Sequence, residues 1–386
     1  MSKIKNKILV SSAGSGKTTG IVGKVKGNSD KSILVTTYTN KNVDEIISKF
    51  LEDKDFDFIP KNVSIMSLYG FLLSHGVKPY QSTLIDSEKG RINSIDFKSK
   101  RPYTIPKNIR SYYLNKNNDI YVNYLTEFIC GANKKSSGKI IERLEKIYDL
   151  IIVDEIQDIG GKYDLDFFKL LLKSKIEILL VGDHRQSILN TNTSSKGKKS
   201  ETGSGIINRF EEWEKEGLCK LEYKNISHRC CQEVCNFSDK LFPDVEKTLS
   251  KRKENENEHQ GIFIIEKNKE SVLAYYAEYK KDKKNNEYKL LILRFDKNSD
   301  TLGLKALNIG LAKGQTCDRV ILFFPEKDLR KFLETGISDF RPKTKSLLYV
   351  ALTRARFSVL LVLDVDCISC DEVKRIRGAY DLRLFY

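Results

Sequence analysis

The stretch KILVSSAGSGKT at residues 7–18 holds the densest concentration of phosphate chemistry in this chain. An apolar run feeds a loop of small residues, Ser12, Ala13, Gly14, Ser15 and Gly16, which ends in Lys17, Thr18 and Thr19. Glycines at this spacing let successive backbone N–H groups turn toward a phosphate, while the lysine neutralises β and γ charges and the hydroxyl of Thr18 ligates Mg²⁺. The first position of the general loop pattern carries Ser11 instead of glycine. A second run, LIIVDEIQD at 150–158, delivers Asp154 and Glu155 at the end of an apolar strand. Strand ends in open α/β sheets face the ligand crevice. There Asp154 suits Mg²⁺, and Glu155 suits orienting and deprotonating an attacking water. A third run, LLVGDHRQS at 179–187, ends in a polar turn where Gln186 is a sensor for the γ-phosphate, whereas His184 and Arg185, taken alone, read as exposed loop residues.

These side chains need strands to carry them. Short β-branched runs recur at 7–10, 32–36, 150–153 and 176–181, then at 261–265, 290–293, 320–324 and 359–363, separated by longer amphipathic stretches. That rhythm predicts parallel α/β architecture, with continuous apolar runs covered on both faces. Two such series predict two lobes. The first takes 1–71 and 146–218, the second takes 219–386, and 72–145 forms a small accessory insert in the first lobe. The insert is rich in Asn, Lys and Tyr and holds a basic, aromatic stretch, 101–113, suited either to a solvated insert or to stacking and phosphate contacts with nucleic acid. The segment 190–205 reads as a mobile Ser/Gly/Lys loop and 251–259 as a charged surface connection.

The blocks at 7–18, 150–158 and 179–187 resemble superfamily 1 helicases of the UvrD, PcrA and Rep type, and later blocks extend the resemblance in the family's order. TTYTNK at 36–41 is similar to the strand-end motif that grips single-stranded DNA. NISHR at 225–229 is similar to the Asn-Tyr-Arg-Ser motif. KGQT at 313–316 is similar to the Lys-Gly-x-Glu block, and LYVALTRAR at 348–356 to the last family motif. The resemblance implies two RecA-like P-loop lobes with parallel sheets, ATP and Mg²⁺ between them, and an ATP-driven, 3′ to 5′ single-stranded DNA translocase or helicase, with RNA left open. It implies catalytic roles for Glu155, Gln186, Arg229 and Arg354, the two arginines meeting the γ-phosphate. Nucleotide contacts would come from residues 12–19 with Gly314 and Thr316, metal contacts from Thr18 and Asp154, and DNA contacts from Thr39, Asn40, Ser67, Lys313 and Thr353. This chain departs from the family in three ways: residues 1–6 hold no glutamine, Thr316 replaces the acidic residue of its block, and the interval between Arg229 and Lys313 is too short for the large second accessory domain.

Composition agrees with a nucleic-acid partner. The 386 residues hold 67 Lys and Arg against 52 Asp and Glu, a net charge of +15, and are 40% hydrophobic, which excludes a wholly disordered chain. No apolar run is long enough for a membrane span, so a cytoplasmic protein without a membrane partner is expected. Eight cysteines are too few for a disulfide scaffold, and Cys367 and Cys370 lack the second pair of a zinc site, so all are expected as reduced thiols. The second reading, from another class, is a nucleotide-regulated subunit that binds a partner such as a nuclease in a DNA-repair or phage-defence complex. It rests on the likeness of the RCCQE block at 229–233 to UvrD-like subunits of Gabija-type defence.

Overall fold

The computed structural model describes residues 5–86, 88, 90–99, 108–188, 205–252, 260–279, 288–335, 340–364 and 383–384. The expected loop at 190–205, apart from Gly205, lies outside them, as do most of 251–259, residues 101–107 of the basic stretch, and Cys367 and Cys370. The chain forms two compact units, one of residues 1–10, 17–184 and 189–223, the other of 11–16, 185–188 and 224–386.

In the first unit a six-stranded sheet runs in the order β3-β2-β6-β7-β1-β8, with β1 Lys7–Ser11, β2 Ile33–Thr37, β3 Val63–Ser67, β6 Leu150–Val153, β7 Glu177–Gly182 and β8 Lys220–Lys224. A separate two-stranded pair joins β4 Ile95–Asp96 to β5 Ile120–Tyr121 in parallel. Successive residues of the central strands point to opposite faces. Ile33, Val35, Leu150 and Ile152 pack with Ile21, Val22 and Val25 of helix Lys17–Lys26 and with Ile46 and Phe50 of helix Asn40–Leu51. Leu34, Ile151 and Val153 pack on the other face with Phe71, Leu72, Leu125, Phe128 and Ile129. Parallel register aligns Thr37 with Ser67, Thr36 with Val153, Val153 with Leu180 and Val10 with Gly182. The residues that follow β2, β3, β6 and β7 therefore leave the sheet along one edge.

In the second unit, β9 Ile226–Ser227 pairs with β10 Leu249–Ser250. A second six-stranded sheet has the order β13-β12-β14-β15-β11-β16, with β11 Gly261–Glu266, β12 Leu290–Arg294, β13 Leu307–Asn308, β14 Cys317–Phe323, β15 Ala355–Leu363 and β16 Arg383–Leu384. All its strand pairs are parallel. Val320, Leu322, Val359 and Leu361 fill one face; Ile321, Phe323, Leu360 and Val362 fill the other.

Three boundaries differ from the expected domain division. Strand β8 edges the first sheet, so the first unit runs to 223 and not to 218. Residues 72–145 do not separate, because Leu125, Phe128 and Ile129 are packed into the same core as β6. Residues 11–16 and 185–188 group with the second unit.

Candidate nucleotide and nucleic-acid site

In the first unit the sheet edge gathers the expected acidic and strand-gripping residues. Asp154 is 7% exposed and its N–H donates to Thr36 O at 2.8 Å. Glu155 adopts the left-handed region with φ 57° and ψ 38°, a conformation that costs a non-glycine residue about 1–2 kcal/mol and persists where surrounding contacts impose it. The contact here is Gln157. Its Nε2 donates to the Glu155 carboxylate and its Oε1 accepts the Asp183 N–H at 3.0 Å, with Gln157 itself 1% exposed. The close approach requires a glycine at 182, since a Cβ there would run into the Gln157 carboxamide and sit 2.8 Å from Ile156 Cγ2. Gln157 is a positioning residue that the sequence motif contained without revealing its role, because nothing local says that its side chain spans two strand ends.

Lys17, Thr18 and Thr19 open helix Lys17–Lys26, and the N–H groups and dipole of a helix start favour an anion. Thr39 caps helix Asn40–Leu51, its hydroxyl accepting from Asn42 N at 3.2 Å, and Asn40 is exposed at the first helical position. Ser67 caps Leu68–Phe71 in the same way, accepting from Gly70 N at 3.3 Å. Each hydroxyl accepts in its cap and keeps a proton to donate outward.

In the second unit the glycine loop lies beside the NISHR block. Gly14 has φ +73°, and a Cβ there would be 2.5 Å from Arg229 Cβ and 2.8 Å from Ser227 Oγ. The His228 N–H donates to Gly14 O at 2.8 Å, and the Ala13 N–H reaches the Tyr349 hydroxyl at 3.5 Å. Ser12 Oγ lies 3.2 Å from Thr248 Oγ1. Gln186 is joined to the last motif: Arg354 donates from Nη2 to Gln186 Oε1 at 3.0 Å, from Nη1 to Gln315 O at 3.2 Å and from Nε to Val350 O at 3.0 Å. Arg229 Nη1 donates to Thr353 O at 3.0 Å. Gln186, Arg354, Thr353, Arg229 and Gly14 thus form one connected set. Lys313, Gly314 and Thr316 lie in the turn between the 3₁₀ helix Ile309–Ala312 and β14.

Two expectations are corrected here. Thr353 is 3% exposed and its hydroxyl donates to Tyr349 O at 2.7 Å. It therefore presents no surface to a strand, and its carbonyl serves to hold Arg229. His184 and Arg185 are 6% and 2% exposed, not loop surface. Within the second unit Arg185 donates to Asp239 Oδ1 at 3.2 Å and to Thr248 Oγ1 at 3.3 Å, and lies 4.8 Å from the Tyr349 ring centroid. Burial of this cation is offset by the paired carboxylate. Asp239 and Thr248 carry no local signal for such a role. Beside Arg229, a hydrogen bond from Cys235 lowers the Cys230 thiol pKa against burial, with the Arg229 charge assisting. The six described cysteines are free thiols.

The loop fits a phosphate group on its own chemistry. Among the described residues, Ser15 Oγ is buried without a hydrogen-bond partner, beside Gly16, where a Cβ would meet nothing nearer than His228 Cδ2 at 4.0 Å. Thr18 and Asp154 supply the hard oxygen donors that a divalent cation prefers. No described group of three or more His, Cys, Asp or Glu forms a separate metal site, and no described helix is long and apolar enough to cross a membrane.

Comparison with known proteins follows the same division. Residues 1–192 match the AAA domain family and residues 209–363 match the viral superfamily 1 RNA helicase core domain. Gabija protein GajB of Bacillus cereus (strain VD045) is 26% identical over 273 residues, which are 67% of this chain and 50% of that protein. The chain thus spans about half the length of the curated relative it matches. The structure of PRRSV helicase superposes with a TM-score of 0.41 at 13% identity, covering 95% of this chain and 54% of that one. Arterivirus nonstructural protein 10 (helicase) superposes with 0.44 at 14% identity, and its complex with DNA with 0.45 at 12%, each covering 97% of this chain and 62% of that one. The two family matches lie in order along one chain whose glycine loop, acidic strand end and arginine-bearing last motif all fall within them, and the chain accordingly carries the core domains of a superfamily 1 helicase.

Proposed function

We propose that this helicase is an ATP-driven translocase on single-stranded DNA of the UvrD type, moving 3′ to 5′, with Mg²⁺ as its metal. The observation that carries the reading is the connected set in the second unit, in which Arg354 bonds Gln186, Thr353 bonds Arg229, and Arg229 backs Gly14. A glutamine and two arginines tied to one another and to a phosphate-type loop suit a γ-phosphate sensor, because a change at any member moves the others. ATP with Mg²⁺ supplies a phosphoanhydride whose cleavage releases the energy for movement. Lys17 and the loop N–H groups would hold its phosphates, with Thr18 and Asp154 on the metal. Glu155, held by Gln157, orients and deprotonates water. Arg229 and Arg354 stabilise charge that grows in the transition state. Thr39, Asn40, Ser67 and Lys313 contact the strand, their grip alternating through the cycle.

ATPase measured with and without oligo(dT) and oligo(U), beside streptavidin displacement from either end of a single strand, tests this. Stimulation by DNA and displacement from the 5′ end alone are expected, with Glu155→Gln binding nucleotide but not turning over. Turnover indifferent to every nucleic acid would favour the second reading, a nucleotide-regulated subunit of a DNA-repair or phage-defence nuclease complex. Its support is the likeness to Gabija protein GajB.

A further inference from the structure

An aromatic series in the first unit leads from the strand-gripping edge to the surface. Tyr38, between Thr37 and Thr39, is 8% exposed and packs edge-to-face on Tyr69 at 5.4 Å. Tyr69, two residues beyond Ser67, packs edge-to-face on Phe97 at 5.2 Å. Phe97 is 60% exposed. Its position is fixed from both sides: Asp96 Oδ1 accepts the N–H groups of Lys98 and Ser99, each at 2.9 Å, and Asp96 Oδ2 accepts Asn115 Nδ2 at 2.7 Å. Asp96 itself pairs with Tyr121 in the two-stranded sheet. These donors hold the Asp96 carboxyl well below the usual carboxylate range. A large apolar ring is therefore presented to water on a pinned turn. The described tyrosines of the expected basic stretch are otherwise engaged: Tyr112 donates to Glu127 at 2.7 Å and Tyr113 packs on Phe128 at 5.1 Å.

The surface has the chemistry of a nucleobase platform. A π-face needs no particular base edge, and the two tyrosine hydroxyls lie 3.2 Å from each other, within hydrogen-bond distance. Exposed Lys98 next to the ring and the net charge of +15 suit the phosphates that accompany a base. We propose that Phe97, backed by Tyr69 and Tyr38, stacks one unpaired base of the bound strand without reading its identity. This rests on the single-stranded DNA reading above and names a stacking position for it outside the nucleotide machinery.

The test is binding of fluorescein-labelled oligo(dT) to the full chain carrying Phe97→Ala, Phe97→Leu or Phe97→Trp, with Lys313→Ala beside them. Phe97→Ala and Phe97→Leu should weaken binding about 5- to 150-fold, the loss per stacked base found on alanine substitution. Phe97→Trp should bind as the parent does. The log–log salt slope should stay at the parent value in all Phe97 variants, because no phosphate contact is lost, and fall in Lys313→Ala. DNA-free ATPase should be unchanged by Phe97→Ala. The single native tryptophan, Trp213, is 1% exposed, so the exposed indole of Phe97→Trp should report stacking as quenched emission when oligo(dT) is added. Parent affinity in Phe97→Ala, or Phe97→Leu matching Phe97→Trp, would overturn the platform and leave the translocase reading standing. A parent protein that binds no oligo(dT) would overturn the DNA reading and the platform with it.

Discussion

Replacing Gln157 by leucine tests how Glu155 is held. The two side chains are close in volume, so the perturbation is almost wholly one of hydrogen bonding. Asp183 is fully buried, and its N–H would lose the Gln157 Oε1 acceptor at 3.0 Å, at a cost of about 1–3 kcal/mol. The Glu155 carboxylate would lose the Nε2 donor. A charged hydrogen bond contributes about 1.5–3 kcal/mol, reduced here because Glu155 is partly exposed and water can replace the amide. The sum is about 2–4 kcal/mol, within a typical total of about 5–15 kcal/mol, so Gln157→Leu should fold with a lower urea midpoint. Catalysis should suffer more than binding. Glu155 sits in a left-handed backbone conformation, and its carboxylate, freed from Gln157, should sample several orientations; misplacement by about 1 Å can cost on the order of a hundredfold in rate. Steady-state ATPase should show kcat down by about ten- to a hundredfold, with the KM for ATP changed less than about threefold. Parent kcat in a folded Gln157→Leu protein would refute the positioning role.

Further changes probe the other elements. Gly14→Ala should strain the φ +73° position and push Arg229 by its Cβ, lowering stability by about 1–3 kcal/mol, read as a lower urea midpoint. Arg354→Lys should abolish most turnover, since one ammonium cannot reproduce three separately directed bonds to Gln186, Gln315 and Val350; turnover near the parent value would remove the guanidinium from the mechanism. His75 lies 3.3 Å from both Arg143 Nη1 and the Tyr148 hydroxyl, and burial first, then the Arg143 charge, lower its pKa from 6.5. The unfolded chain therefore binds this proton more readily, so the contribution is present above about 6.5 and fades as pH falls through the folded value. Urea midpoints measured across that range should flatten in His75→Asn.

The sequence alone determined whatever a contiguous run can encode. Strand β6 was expected at the residues it occupies, 150–153, and the glycine loop, the acidic pair and the last arginine motif were legible, because strong apolar runs and fixed short spacings survive any tertiary context. Strands β3 and β8 were not anticipated. Their partly exposed residues form no continuous apolar run, and they are strands because β2 and β1 lie beside them. Tertiary structure also decided the fate of polar side chains. Arg185 is buried because Asp239 and Thr248, remote in sequence, meet it. Thr353 is buried with its hydroxyl on Tyr349 O, and its carbonyl meets Arg229, remote in sequence. Residues 72–145 joined the first core because Phe128 and Ile129 had Ile151 and Val153 to cover. Desolvation and pairing depend on partners that only the fold brings within a few ångströms, and no local pattern states which partners those will be.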